Sequence, residues 1–518
     1  MVADTEAVGE KAPPGPAENL LDGVATSDDK LTPDGKLLGK NGEIISAGVG
    51  LTTVNIAKAF MGASSFELPW SFSQAGKVGA VVGIVTVAVL SNWTFIYLGE
   101  LSQICGINRP TYPQIGRVCM GPVGEYLVWF GMAMMTVGVV GSYFLFIGQI
   151  FSSLVDSPEF PQWKAVIVVS LLGALMSLFR SLKSLSFTSV TGLCALAVAM
   201  CAVIYDALSM ETSPPFGQWL AEQPAWNLET YPLFLGGVNY LFLISTAILP
   251  IEQEMHPGER KGNGFARAFT NAQLFVTLPN IIFAFISWRA FSYSPEGLHG
   301  NILNSLTPGP VTNMVKWFMS LNQLFTVPLF LVPMADAFEH RILAKAEFGT
   351  PSGEMKRNAC RLLFSLAAAT AALLVPDFGL LVRGVTNLEP YAKHLDNCLP
   401  IVRSVTVAVT VCAHTVLCSH LLIGADDSLA LMIRAAQTGL TGAFGNNLLA
   451  FIFVPVLWFE RRRALGYWQD VCGMKGYNVP KMREMLKCLF IFVVGVATLL
   501  LSGVSTVRAL IEKHGANQ

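Results

Sequence analysis

Between Met61 and Gly76 the chain reads MGASSFELPWSFSQAG, a set of residue types suited to holding a small polar solute inside a membrane. Gly62 and Pro69 break helices, and the hydroxyls of Ser64 and Ser65 compete for backbone partners. Ala63 adds a second small residue, and Glu67 places a carboxylate in the middle. The stretch interrupts an apolar segment that starts near Ala47. Hydrocarbon tolerates irregular backbone only where it is buried in protein or lines a cavity. A broken helix carrying an acid therefore points to a solute site near the membrane midplane. The plainer alternative is a proline-kinked helix with a snorkelling Glu. A second interruption lies in the sixth apolar span, FLISTAILPIEQEM, which holds Ser245, Thr246 and Pro250. Paired interruptions are the stronger pointer to a transport site.

Composition sets the frame for these residues. The chain has 518 residues, 53% hydrophobic and 13% charged, whereas a soluble domain is about a quarter charged. Apolar runs of membrane-spanning length recur along almost the whole sequence, the mark of an all-α polytopic membrane protein. Spans are expected at 47–74, 78–98, 124–155, 165–178, 188–208, 231–255, 269–288, 311–338, 362–381, 430–458 and 485–501. Residues 1–45 are polar, rich in Asp, Glu, Pro and Gly, without apolar periodicity, and read as a disordered acidic tail. A net charge of -1 implies no nucleic-acid partner. The ten Cys are scattered without metal-like spacing and read as small core residues. No metal site, cofactor site or nucleophile motif is expected, so an enzyme ranks last among the functions.

Residues 382–428 are the awkward part. Their apolar core, 404–424, is long enough to suggest another span, but it holds His414 and His420 and is bracketed by Arg403 and Asp426/Asp427. Lys and Arg placement argues against a crossing. With the tail in the cytosol, strict alternation puts Arg109, Arg117, Arg180, Lys183, Arg260, Lys261, Arg267, Arg341 and Lys345 in cytosolic loops. The basic loop holding Arg461, Arg462 and Arg463 joins them only if 404–424 does not span. About eleven transmembrane helices follow, within a transporter domain at 46–510 that carries 382–428 as an inserted loop.

The motifs resemble the amino acid/auxin permease family, and within it the proton-coupled amino acid transporter branch. Lys58, Gly62, Leu68 and Pro69 match that family's first-span pattern, with Ser64 and Glu67 where it has glycines. Tyr143, Phe144 and Phe146 match its third-span Tyr-Phe-x-Phe. Leu249, Pro250, Ile251, Glu252, Gln253 and Met255 nearly reproduce the sixth-span pattern. Thr326, Val327, Pro328 and Leu329 match the eighth, Val375, Pro376 and Phe378 lie near the ninth, and Gly442, Ala443 and Phe444 open the tenth. The resemblance covers most of 47–505. It implies a LeuT-type fold of two inverted five-helix repeats plus one span, with helices 1 and 6 broken. The inserted 382–428 departs from the family, as does Leu243, where the branch carries a Glu after a Phe.

The resemblance implies an amino-acid substrate, moved by alternating access with a proton as coupling ion. A half-helix beginning near Leu68 would offer N–H groups to the substrate carboxylate. Carbonyls around Gly62 to Ser65 and around Ser245 to Ala247 would take its ammonium, and Tyr143 and Phe242 would form apolar walls. Glu67, beside those donors, would repel the substrate carboxylate when ionised, so it is read as loading a proton before or with the substrate. The alternative is that Glu67 caps the half-helix and faces away. Sodium is the rival coupling ion, with Ser64 and Thr326 as oxygen ligands. An amino-acid sensor using the same pocket is the rival function. The lipid bilayer is the remaining partner, in the plasma membrane or the vacuolar/lysosomal membrane. A tag inserted at Gly466 is expected to be inaccessible from outside intact cells, and a tag at Gln518 accessible. Outside access at Gly466 would mean that 404–424 crosses the membrane.

Overall fold

The computed structural model describes residues 30–31, 37–38, 47–107, 109–155, 157, 159–178, 186–210, 213–260, 263–295, 297–342, 350–374, 449–464, 483–498 and 501. Most of the 1–45 tail, all of 382–428, and the motif residues Val375, Pro376, Phe378, Gly442, Ala443 and Phe444 lie outside them. Four tail residues form a short ladder, Lys30–Leu31 antiparallel to Leu37–Leu38. Among the described residues the other elements are helical, apart from an isolated bridge between Ala47 and Met255.

The first expected span is two helices, α1 (Val49–Phe60) and α2 (Ala63–Ala75). Gly76, at φ +80°, turns the chain directly into α3 (Lys77–Ile104). A long element, α4 (Tyr112–Val155), bends at Gly121 (φ +68°) and Pro122. That hinge explains why the sequence reads as a span only from Gly124. Then come α5 (Gln162–Met176), α6 (Ser186–Ser209) and the short α7 (Phe216–Glu222). The sixth expected span is again split, into α8 (Tyr231–Leu241) and α9 (Ile248–Gln253). After the single turn α10 (Pro257–Arg260) follow α11 (Gly264–Phe291), α12 (Pro310–Ile342) and α13 (Pro351–Leu374). A π-helical turn at 449–453 leads into α14 (Val454–Ala464), and α15 occupies 483–498.

The two split spans run antiparallel and are tied at both ends. At one end the start of α1 meets the end of α9: Ala47 N–H donates to Glu254 O at 2.9 Å, and His256 N–H to Ala47 O at 3.1 Å. At the other, the end of α2 meets the approach to α8, with Thr230 Oγ1 donating to Gln74 O at 2.6 Å and Asn227 N–H to Ala75 O at 3.0 Å. Around this pair α1 packs on α11 and α6, α2 on α8 and α11, and α4 on α13, α12 and α5. Among the described residues one run of helices starts with the first split span and a second run starts with the other, α8 and α9, in the opposite direction.

Among the described residues five helices are long and apolar enough to span a bilayer: Lys77–Ile104, Tyr112–Val155, Gly192–Ser209, Gly264–Phe291 and Pro310–Glu339. The split spans miss that length because each is two short pieces. Hydrophobic residues face outward along α3, where Val78, Val82, Val85 and Val89 form an exposed stripe at helical spacing. Polar ones, including Ser91, Thr94, Thr136, Ser142 and Asn280, are buried inside. Apolar outside and polar inside is the arrangement a hydrocarbon solvent selects.

Small residues let the helices approach closely. A Cβ on Gly141 of α4 would lie 2.9 Å from Ala368 O of α13, a backbone atom that cannot swing aside. Gly217 of α7 has open space around it. Gly141→Val should therefore cost about 1–3 kcal/mol through overpacking and lower the melting temperature in detergent, measured against Gly217→Val. Equal melting temperatures would contradict close α4–α13 packing.

Candidate functional site

The first break is only two residues long. α1 ends at Phe60 and α2 begins at Ala63, leaving Met61 and Gly62 between. Ala63, Ser64 and Ser65 thus form the first turn of α2, whose leading N–H groups have no acceptor within the helix. The half-helix starts at Ala63 and not near Leu68, as the sequence suggested. Pro69 lies inside α2, where its missing N–H removes only the bond to Ser65 O. Ser64 Oγ donates back across the break to Phe60 O at 3.2 Å. Ser65 Oγ is buried and has no hydrogen-bond partner among the described residues.

The second break is wider, from Phe242 to Ala247. Turn bonds replace the helical ladder there: Leu243 N–H to Tyr240 O at 3.3 Å and Ala247 N–H to Ile244 O at 2.9 Å. Ser245 and Thr246 are buried in it, and Thr246 Oγ1 has no partner among the described residues. The Phe242 ring meets Phe60 edge-to-face, centroids 5.5 Å apart. Phe60 ends α1 next to the first break and Phe242 opens the second, so this contact holds the two side by side. Tyr143 of α4 stands edge-to-face on Phe330 of α12 at 5.9 Å, and its neighbour Ser142 shares a hydrogen bond with the Tyr240 hydroxyl of α8.

Glu67 lies in the second turn of α2, five residues beyond Gly62. Its carboxylate is fully buried between α2 and α8, accepting from Ser71 Oγ at 2.6 Å. It lies against Gly237 of α8, where an added Cβ would run into Glu67 Oε2. Gly237 thus makes room for an acid in the seam between the broken helices.

Ser64 and Thr326, the expected cation ligands, are each engaged elsewhere. Ser64 is bonded to Phe60 O. Thr326 Oγ1 donates to Asn322 O at 2.8 Å and accepts from Lys58 Nζ at 3.4 Å. The Lys58 ammonium, buried on α1, also donates to Asn322 Oδ1 on α12. A Cβ on Gly192 of α6 would lie 2.6 Å from it, so the ammonium fills the junction of α1, α6 and α12. Next to Asn322, Gln323 faces the first break: its Nε2 lies 3.2 Å from where a Gly62 Cβ would sit.

Lys58, Asn322 and Gln323 were not singled out in the sequence as site residues. The signal was there, because a charge in the first apolar span and two adjacent amides in the eighth are costly in a membrane and retained for a purpose. What the sequence lacks is which face of α12 each amide takes.

Comparisons with known proteins place this geometry. Among relatives, the amino acid transporter ANT1 of Arabidopsis thaliana is 24% identical over 63% of this chain and 78% of its own. Amino acid transporter AVT3C of the same plant is 25% identical over 67% and 80%. Vacuolar amino acid transporter 2 of Saccharomyces cerevisiae is 22% identical over 55% and 60%. Among solved structures, MhsT in complex with L-phenylalanine superposes with a TM-score of 0.54 at 12% identity, over 89% of this chain and 100% of that one. That likeness is one of fold, the LeuT fold of paired broken helices. The family described as "Transmembrane amino acid transporter protein" matches residues 46–388, from just before the first break to beyond α13, and the chain belongs to that family.

Proposed function

We propose that this amino acid transporter works by alternating access, that its substrate lies between the two breaks, and that its coupling ion is a proton. The observation that carries the last point is Lys58. Its ammonium takes Asn322 Oδ1 and Thr326 Oγ1, the oxygens of α12 that a sodium ion would need. A hard cation wants several oxygens at short distance, and a buried resident charge both occupies them and repels a newcomer. Sodium coupling remains the rival, since sodium-coupled neutral amino acid symporter 2 of Danio rerio is 22% identical over 59% of this chain and 66% of its own.

Glu67 is the group we assign to the proton. It sits in the α2–α8 seam, the contact between the two broken helices, so a change in its charge acts where those helices must shift. Protonated, it leaves the α2 N-terminus free to attract the substrate carboxylate. Released, the proton leaves a negative charge that works against rebinding. Lys58 ties α1 to α12, and that tie must open if α1 swings away to release substrate. The membrane is vacuolar or plasma, the former favoured by the vacuolar relative.

Three outcomes test this. Uptake into proteoliposomes should be driven by an inward proton gradient and be unchanged when choline replaces sodium; a sodium requirement would overturn the assignment. Glu67→Gln should abolish concentrative uptake and its pH dependence while exchange survives, because the amide mimics the protonated acid; accumulation with an unchanged pH profile would exclude Glu67. Gly62→Val should abolish uptake at normal surface expression, because its Cβ would already press on Gln323. Normal uptake by that variant would put the substrate elsewhere.

A further inference from the structure

We propose that Gln323 is a substrate-binding residue that reads the main-chain end of the amino acid. This rests on the reading that substrate lies at the break between α1 and α2. Gln323 is fully buried on α12, and neither Nε2 nor Oε1 has a hydrogen-bond partner among the described residues. Buried amides are almost always paired, and those that are not tend to be completed by a ligand or a water. This one is aimed at the break itself. Nε2 and Oε1 lie 3.2 and 3.5 Å from the position of a Cβ on Gly62, the residue that caps α2.

The chemistry of that position favours a zwitterion. On one side of Gly62 are the last carbonyls of α1, which attract an ammonium. On the other are the first N–H groups of α2, which attract a carboxylate. A primary amide carries a donor and an acceptor on one planar group. Laid along the seam, Oε1 accepts from the substrate ammonium while Nε2 donates to its carboxylate. A neutral amide does this without the net charge that a Lys, Arg, Asp or Glu would bring. Ser65 Oγ, in the first turn of α2, and Thr246 Oγ1, in the second break, are also buried and unpartnered among the described residues. Because Gln323 faces the backbone break at Gly62, it contacts the part shared by all amino acids and not the side chain that distinguishes them.

The test is initial uptake of radiolabelled L-alanine, L-leucine and L-phenylalanine by the full chain in proteoliposomes. Gln323→Leu should raise KM for every transported member by a similar factor, about tenfold or more, as expected for losing hydrogen bonds to charged groups. The rank order among substrates should not change. Gln323→Glu keeps the shape and the acceptor but meets the carboxylate with a negative charge. It should weaken all three amino acids while improving competition by an amine that lacks the carboxylate, such as phenethylamine. If the leucine variant does not fold, the glutamate variant carries the test alone. Unchanged KM in both variants, a change confined to Vmax, or a shift for one amino acid only would overturn the assignment. Gly62→Val in the same preparation separates the two claims. If it is inactive while both Gln323 variants keep normal KM, only Gln323 is wrong; if it also transports normally, the location of the site is wrong.

Discussion

In hydrocarbon every backbone N–H and C=O outside a helix must be covered by protein. That constraint governs the Met61–Gly62 break and everything packed around it. One break would leave its helix ends to be satisfied by whatever lies near. Two antiparallel broken spans, joined by the contact of Phe60 with Phe242, put their irregular backbone in one shared interior. The cost of interrupting two helices is met by the helices around them, with α11 and α6 against α1, and α8 and α11 against α2. The ties at the two ends, Ala47 with Glu254 and Thr230 with Gln74, fix the direction of the pair.

The same constraint sorts the polar side chains. Several are bonded within the protein: Lys58 to Asn322 and Thr326, Ser64 to Phe60 O, Glu67 to Ser71. The buried groups at the breaks without a partner among the described residues are Ser65, Thr246 and Gln323, where a substrate has hydrogen bonds to exchange for water. The bonded groups include the ammonium that pins α1 to α12, and the unpartnered ones at the breaks are neutral.

Much of this was legible in the residues, and the misses have physical causes. The break in the first span is legible because Gly62 and Pro69 are strong breakers, but Pro69 marks no helix end, since α2 runs through it. Proline is favoured in the first turn of a helix, which suggested a start near Leu68. Inside α2 it costs one hydrogen bond, and tight burial on α8 and α11 tolerates that. The second break is legible through Ser245, Thr246 and the nearby Pro250, although the six residues that open there include neither Gly nor Pro. Gln323 and Lys58 were hidden for a different reason. A helical sequence gives spacing along one element, while the side of α12 that meets α1, and the side that meets the break, depends on packing across the bundle.

The central claim is that the two breaks line one substrate cavity. Its most direct measurement is substrate protection of a thiol placed there. Thr246→Cys, in a chain whose ten native cysteines are replaced, would be labelled with a small methanethiosulfonate reagent with and without L-alanine, L-leucine or L-phenylalanine. Gly217→Cys on the exposed face of α7 serves as the reference. The account predicts that a transported amino acid slows labelling at position 246 and leaves position 217 unchanged. Labelling at 246 that no transported amino acid slows would contradict it.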